Sequence, residues 1–184
     1  YSVGFEDQPE ERGHEFEYSD AVVAKFATDH QRFHIQNDQV LARLPEAIQH
    51  MPEPMVAQDA VAFYLLSEQV SQDIKVVQSG QGADELFGGY FWYPQMQAAK
   101  GSPLQRFAPF YFDRDFSEYA RTVNSSYVHE DYTSQLVEQA LHSCQADSHI
   151  DAVLHFDVTT LIVDDPVKRV DSMTVSYTHL RAHE

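Results

Sequence analysis

Hydrophobic and polar positions follow two rhythms along this chain. Short runs that alternate or stay apolar read as strands: Ser2 to Phe5, the Phe33 to Ile35 stretch, and Ile74 to Gln78, the last mostly β-branched. Between them the apolar period lengthens to that of a helix. Ala21, Val22 and Phe26 share one side of a helix that Ser19 or Asp20 can cap and that runs through Ala27. Leu41, Leu44, Ile48 and Met51 recur at helical spacing, but Pro45 interrupts them; this predicts two short helices, with Pro45 in the first turn of the second. Asp59 then closes a proline-punctuated loop and is placed to cap a helix with Val61, Tyr64 and Leu65 on one face. The order strand, helix, strand, helices, strand, turn, helix predicts a layered α/β domain with a mostly parallel sheet over residues 1–100.

The character changes after Gly101-Ser102-Pro103. Phe107, Phe110, Tyr111, Phe112, Phe116 and Tyr119 form an aromatic block, expected to be core or a face for partners. Asp113 or Asp115 can cap a helix beyond it, and Gln135 to Leu141 and Ile150 to Leu161 read as amphipathic helices. Residues 101–174 are expected to be a mainly helical extension of the same domain. The acidic stretch Glu6 to Glu17 reads as a solvated loop.

Charge narrows the partners. The chain carries 29 acidic and 12 basic residues, a formal net charge of −17. Such a surface repels nucleic acid and anionic membranes. It leaves ATP open, because Mg²⁺ on the phosphates supplies local positive charge. No apolar run approaches the roughly 20 residues that span a bilayer. The single cysteine, Cys144, rules out an internal disulfide and suits a reducing compartment, so a cytoplasmic location is expected. His30 and His34, like His179 and His183, are four apart, but Gln31 and Leu180 stand where a zinc-protease helix needs Glu.

The candidate chemistry centres on Ser79-Gly80-Gln81-Gly82-Ala83-Asp84-Glu85-Leu86-Phe87-Gly88-Gly89-Tyr90. Four glycines bracket two adjacent carboxylates directly after a strand-like run. Glycine permits close approach of the backbone to a ligand. A carboxylate at the carboxyl end of a strand is placed to hold Mg²⁺ on a nucleotide phosphate. Glu85 also suits the first turn of a helix.

This run resembles the second signature of the asparagine synthetase family, S-G-[ED]-G-x-D-E-[LV]-F-G-G-Y. Tyr1 to Phe5 resembles the family's F-S-[IV]-G-F strand, Ala27 to His30 its G-T-x-H segment, and Leu161 to Met173 its L-x-x-D-D-x-L-x-K-x-D-x-M run. Gln81 and the Ala60 to Ser67 segment are most similar to the N-acetylglutaminylglutamine amidotransferase branch. The resemblance implies an adenine nucleotide α-hydrolase-like domain. Such a domain activates a carboxylate with ATP and Mg²⁺ to an acyl-adenylate, and ammonia from a glutaminase domain then gives the amide. It implies that Val3 lies along the adenine with Gly4 allowing close approach, that Ser79 and Gly80 meet the nucleotide, that Asp84 takes Mg²⁺, and that Glu85 is a second carboxylate or a helix-start anion.

Four departures qualify the resemblance. The family's first signature, S-G-G-x-D-S, and its glutaminase domain are absent, so the chain is expected to be a truncated piece that makes no amide alone. Position 81 is Gln, which cannot act as a general base; either it makes a branch-specific substrate contact or catalysis is impaired. Arg169 stands at the family's Lys position; it keeps the charge, suits phosphate, and cannot release a proton near neutral pH. Residues 175–184 match nothing expected, read as translated adapter sequence, and are expected to be non-native. Lys168 is expected on a solvated face and Asp164 or Asp165 as a cap for the helix carrying Arg169. Gln58 and Asp59 are candidates to face substrate, or a plain loop and cap. Two functional readings follow: the synthetase domain of an ATP-dependent, glutamine-using amidotransferase, or a non-catalytic fragment that keeps the fold and weak nucleotide binding.

Overall fold

A computed structural model describes residues 1–7, 13–14, 16–52 and 59–179. The chain divides into two compact units, residues 1–79 with 165 onward, and residues 80–164.

In the first unit, strands β1 (Ser2–Phe5) and β2 (Arg32–Ile35) pair in parallel, with Val3 opposite Phe33 and Phe5 opposite Ile35. Parallel strands need a crossover, and helix α1 (Phe16–Phe26) supplies it. Because α1 starts at Phe16, Ser19 and Asp20 lie inside it rather than at its cap. Ser19 Oγ donates back to the Phe16 carbonyl, and Asp20 pairs with Arg32. Helix α2 (Asn37–His50) is continuous through Pro45, against the expectation of two helices. Pro45 removes the N–H that would bond the Leu41 carbonyl. Leu41 is 75% exposed, so water can take that carbonyl.

Helix α3 (Ala60–Val70) buries Ala60, Val61, Tyr64 and Leu65 on one face, as its apolar spacing predicted. These meet Ile35, Ala47 and Met173, the last on helix α10 (Lys168–His179), to form the unit's core. Arg43 ties α2 to α3: Nη1 and Nη2 donate to the two Glu68 oxygens, each at 3.0 Å, Nε donates to Glu46 at 2.8 Å, and the guanidinium lies over the Tyr64 ring. Ile74 to Gln78 is irregular rather than a strand. A strand exists through its ladder, and among the described residues only β1 and β2 form one.

The second unit is helical. It comprises α4 (Ala83–Phe87), α5 (Trp92–Ala98), α6 (Pro103–Tyr111), α7 (Phe116–Thr122), α8 (Tyr132–Ser143) and α9 (His149–Phe156), followed by the π-helical turn Asp157–Leu161. Its local starts follow from sequence. Ser102 and Gln105 close a capping box around Pro103, and Asp115, Asp131 and Ser148 accept backbone N–H groups at the starts of α7, α8 and α9. Arg106 donates to the carbonyls of Met96 and Gln97 and so closes the end of α5. The aromatic block supplies part of the core: Phe107 stacks on Tyr111 with centroids 4.1 Å apart and meets Phe156 edge-on, beside Met96, Val137, Leu141 and Val153.

Candidate functional site

The glycine-rich run forms a turn leading into α4, and the boundary between the compact units falls between Ser79 and Gly80. Gly82 starts α4 at φ 90°, a left-handed conformation that favours glycine, and Gly88 ends it at φ 68°. Gly89 has a different reason. Its backbone N–H donates to the Asp84 carbonyl at 2.9 Å, and the space a Cβ would occupy is already held by the Asp84 carboxylate. Asp84 therefore lies folded over the following turn with its carboxylate exposed. Gln81 and Ser79 are also exposed, and Gly80 has open space where a side chain would stand.

Glu85 points the other way. It is 2% exposed and accepts a 2.8 Å hydrogen bond from the Tyr90 hydroxyl through Oε1. Burial, then the bond to Glu85, pushes the Tyr90 hydroxyl well above the ordinary tyrosine range. The two adjacent carboxylates thus have opposite surroundings: Asp84 is exposed and Glu85 belongs to the interior.

Behind α4 lies an acid that the periodicity did not single out. Asp157 is fully buried at the start of the π-helical turn on which α4 packs. Its Oδ2 accepts hydroxyls from Tyr93 at 2.7 Å and Tyr111 at 2.5 Å, while its buried Oδ1 has no hydrogen-bond partner. Burial pushes this carboxyl up; the bonds from Tyr111 and Tyr93 oppose the shift, and the charge of Glu85 adds to it. A signal was present in the sequence: Ala152, Val153, Phe156 and Asp157 fall on one helical face, and the first three are buried.

Val3, Gly4 and Arg169 lie in the first unit. Val3 packs against the core there through its side chain. Gly4 is buried, and a Cβ on it would meet His14 and Phe16 at 2.6 and 2.7 Å, so close packing alone already requires glycine. Arg169 is 6% exposed. Its Nη1 donates to Asp165 Oδ1 at 2.7 Å, and its Nε lies 3.0 Å from Asp59 Oδ1. The second contact is an ion pair out of line for a hydrogen bond. Neither aspartate acts as the expected cap. Asp59 has helical backbone angles and makes no side-chain cap bond, and Asp165 lies inside the π-helical turn Val163–Val167. Gln58 falls outside the described residues. Cys144 is half-buried at the end of α8.

The donor set limits what could be bound. Among the described residues no group of three His, Cys, Asp or Glu side chains could hold a metal ion. Asp84 alone fits Mg²⁺ carried by phosphate oxygens and water, which needs only one or two protein carboxylates. A groove of about 420 Å³ in the second unit, lined by Tyr111, Phe116, Tyr119 and Tyr132, carries the acids Asp113, Asp115, Glu130 and Asp131, of which Asp115 and Asp131 are helix caps. Among the described residues no helix is long and apolar enough to cross a membrane.

The sequence model of the family described as asparagine synthase matches residues 1–178. The chain is 29% identical over 106 residues to asparagine synthetase (glutamine-hydrolysing) 1 of Bacillus subtilis, covering 58% of this chain and 16% of that protein. It is 39% identical over 59 residues to a Mycobacterium bovis protein named as an asparagine synthetase, covering 32% of this chain and 9% of that protein. A Dictyostelium discoideum protein named as an asparagine synthetase is 26% identical over 96 residues, half of this chain and 16% of that protein. The chain thus spans well under a quarter of the relatives it matches. No solved structure matches it significantly.

Proposed function

Because the chain belongs to the asparagine synthase family, we propose that it is part of the synthetase domain of an ATP-dependent, glutamine-using amidotransferase. In this reading the domain adenylates a carboxylate and amidates it with ammonia released elsewhere in the full-length protein. The observation that carries the reading is the opposed placement of the signature's carboxylates, with Asp84 exposed over Gly89 and Glu85 buried on Tyr90. Mg²⁺, when bound on the nucleotide phosphates, neutralises the charge of the departing pyrophosphate. Asp84 is the residue to hold it. Glu85 supports α4 from behind rather than reaching the metal.

Ser79 and Gly80 meet the nucleotide through hydroxyl and backbone, where Gly80 leaves open space. Val3 and Gly4 offer their backbone to the adenine, since the Val3 side chain is committed to the core. Arg169, clamped by Asp59 and Asp165, is a fixed cation for an acyl or phosphate oxygen. Gln81 replaces a carboxylate by a neutral amide and so contacts the acceptor instead of taking a proton. That substitution supports the N-acetylglutaminylglutamine branch over plain asparagine formation. The full domain is proposed to complete a layered parallel sheet around β1 and β2.

The test is AMP release by the full-length synthetase with ATP, Mg²⁺ and either N-acetylglutaminylglutamine or aspartate. Release that depends on the dipeptide supports the branch assignment, and release that depends on aspartate returns the chain to asparagine formation. No carboxylate-dependent AMP release with either would reject the synthetase reading. The 184-residue chain alone is expected to release none.

A further inference from the structure

We propose that Asp157 is a positioning residue for the signature helix: by gathering the Tyr93 and Tyr111 hydroxyls onto one oxygen, it fixes the surface on which α4 presents Asp84. The inference rests on the synthetase reading only for the role of Asp84. The contacts form a closed path within one unit. Asp157 Oδ2 binds Tyr93 of α5 and Tyr111 of α6, which locks both helices to the π-helical turn. That turn packs against α4, and Ile162 just beyond it lies 3.4 Å from where a Cβ on Gly82 would stand. Glu85 of α4 is in turn bonded by Tyr90, which stacks on Trp92 with centroids 4.2 Å apart, and Trp92 meets Tyr111 edge-on. Helix α4 has five residues and cannot hold its own geometry, since so short a helix is unstable without tertiary support.

A role confined to stability fits this arrangement poorly. Two phenols share one oxygen of Asp157 while the other, fully buried, has no partner. An apolar side chain of similar size would fill the site without that orphan acceptor. What the carboxyl adds is direction, two hydrogen bonds that fix where α5 and α6 meet the turn beneath the signature.

The experiment compares Asp157→Leu, which removes the shared acceptor at similar size, with Tyr111→Phe, the second retaining the acid in case the first fails to fold. Hydrogen exchange on the 184-residue chain reads the positioning without ligand or activity. Both variants are expected to speed exchange in residues 83–89 by about ten-fold while residues 135–141, in the same core, change less than about two-fold. Equal acceleration in the two segments, or none in 83–89, would overturn the proposal, because a merely structural residue loosens the whole core. In the full-length synthetase the same variants are expected to raise the Mg²⁺ concentration for half-maximal AMP release about five-fold, with the KM of the acceptor carboxylate unchanged. An unchanged Mg²⁺ midpoint would also overturn it. Absence of Mg²⁺-dependent AMP release in the unmodified enzyme would instead reject the synthetase reading and leave the exchange result to decide the positioning.

Discussion

The two compact units each bury an ionisable side chain, and they compensate it in opposite ways. In the first unit Arg169 is buried against Asp59 and Asp165, both nearly half exposed, so a sealed cation is balanced by charges that water still reaches. In the second, Asp157 is sealed among neutral phenols, and no ion pair reaches it among the described residues. Charge compensation tolerates loose geometry, as the misaligned contact between Arg169 and Asp59 shows. Compensation by hydrogen bonds does not, because hydroxyl bonds weaken steeply with angle. The signature's exposed Asp84 stands in the unit built the second way, where position is held more tightly.

The largest effect is expected from removing the cation. Arg169→Met leaves Asp59 and Asp165 facing each other, and should lower the stability of the first unit by about 2 kcal/mol, the cost of a broken buried pair reduced because both carboxylates are solvated. Chemical denaturation followed by hydrogen exchange in α3 would measure it. A variant within about 0.5 kcal/mol of the original would mean that the ion pairs do not matter.

Gly89→Ala should come next, through position rather than stability. A Cβ at 89 takes the space of the Asp84 carboxylate, so about a ten-fold loss in kcat/KM for MgATP is expected in the full-length synthetase, with Gly88→Asn milder because that site has open space and Asn tolerates positive φ. Equal losses in the two variants would show that turn conformation, not the carboxylate, is at stake.

Tyr93→Phe should cost the second unit about 1 kcal/mol, the worth of one hydrogen bond to a buried acceptor. Added salt should weaken the first unit's Arg169 centre and leave this one unmoved, since screening acts on solvent-reached charges. A salt-sensitive difference between Tyr93→Phe and the unmodified chain would contradict the contrast.

The smallest effect is in pH. Asp157 holds its proton above the usual carboxylate range, so the stability it contributes is present below about pH 3.9 and is lost as pH rises through the raised value. His149, held down by burial and by Arg106, acts in the opposite sense: its contribution is present above about pH 6.5 and is lost as pH falls toward its lowered value. Subtracting the stability profile of Asp157→Asn from that of the unmodified chain should leave a curve that falls with pH in the acid range. A flat difference would mean that folding does not raise the affinity of Asp157 for its proton.

Sequence made local structure legible where one residue type suffices. Asp115 caps α7 because a short acceptor before an apolar run satisfies free N–H groups, and α3 buries the face its spacing marks. It failed where a residue has two possible partners. Asp59 and Asp165 have the chemistry of caps, and only the fold reveals Arg169 beside them. Ile74 to Gln78 has strand composition, but pairing is a property of neighbours that composition does not carry. Of the candidate site, the glycine turn and its carboxylates were legible as a motif, whereas the opposed directions of Asp84 and Glu85 come from Tyr90 and Gly89. Asp157 was only partly legible: it falls on the apolar face of its helix, but what an acid does there shows only with its tyrosine partners, 46 and 64 residues away.

The most direct test is the Mg²⁺ dependence of AMP release by the full-length synthetase carrying Asp84→Asn or Glu85→Gln. Asp84→Asn is expected to raise the Mg²⁺ midpoint at least about ten-fold, because an amide is a poor ligand for a hard cation, while Glu85→Gln stays within about two-fold. A midpoint that moves with Glu85 and not with Asp84 would contradict the division of labour between the exposed and the buried carboxylate.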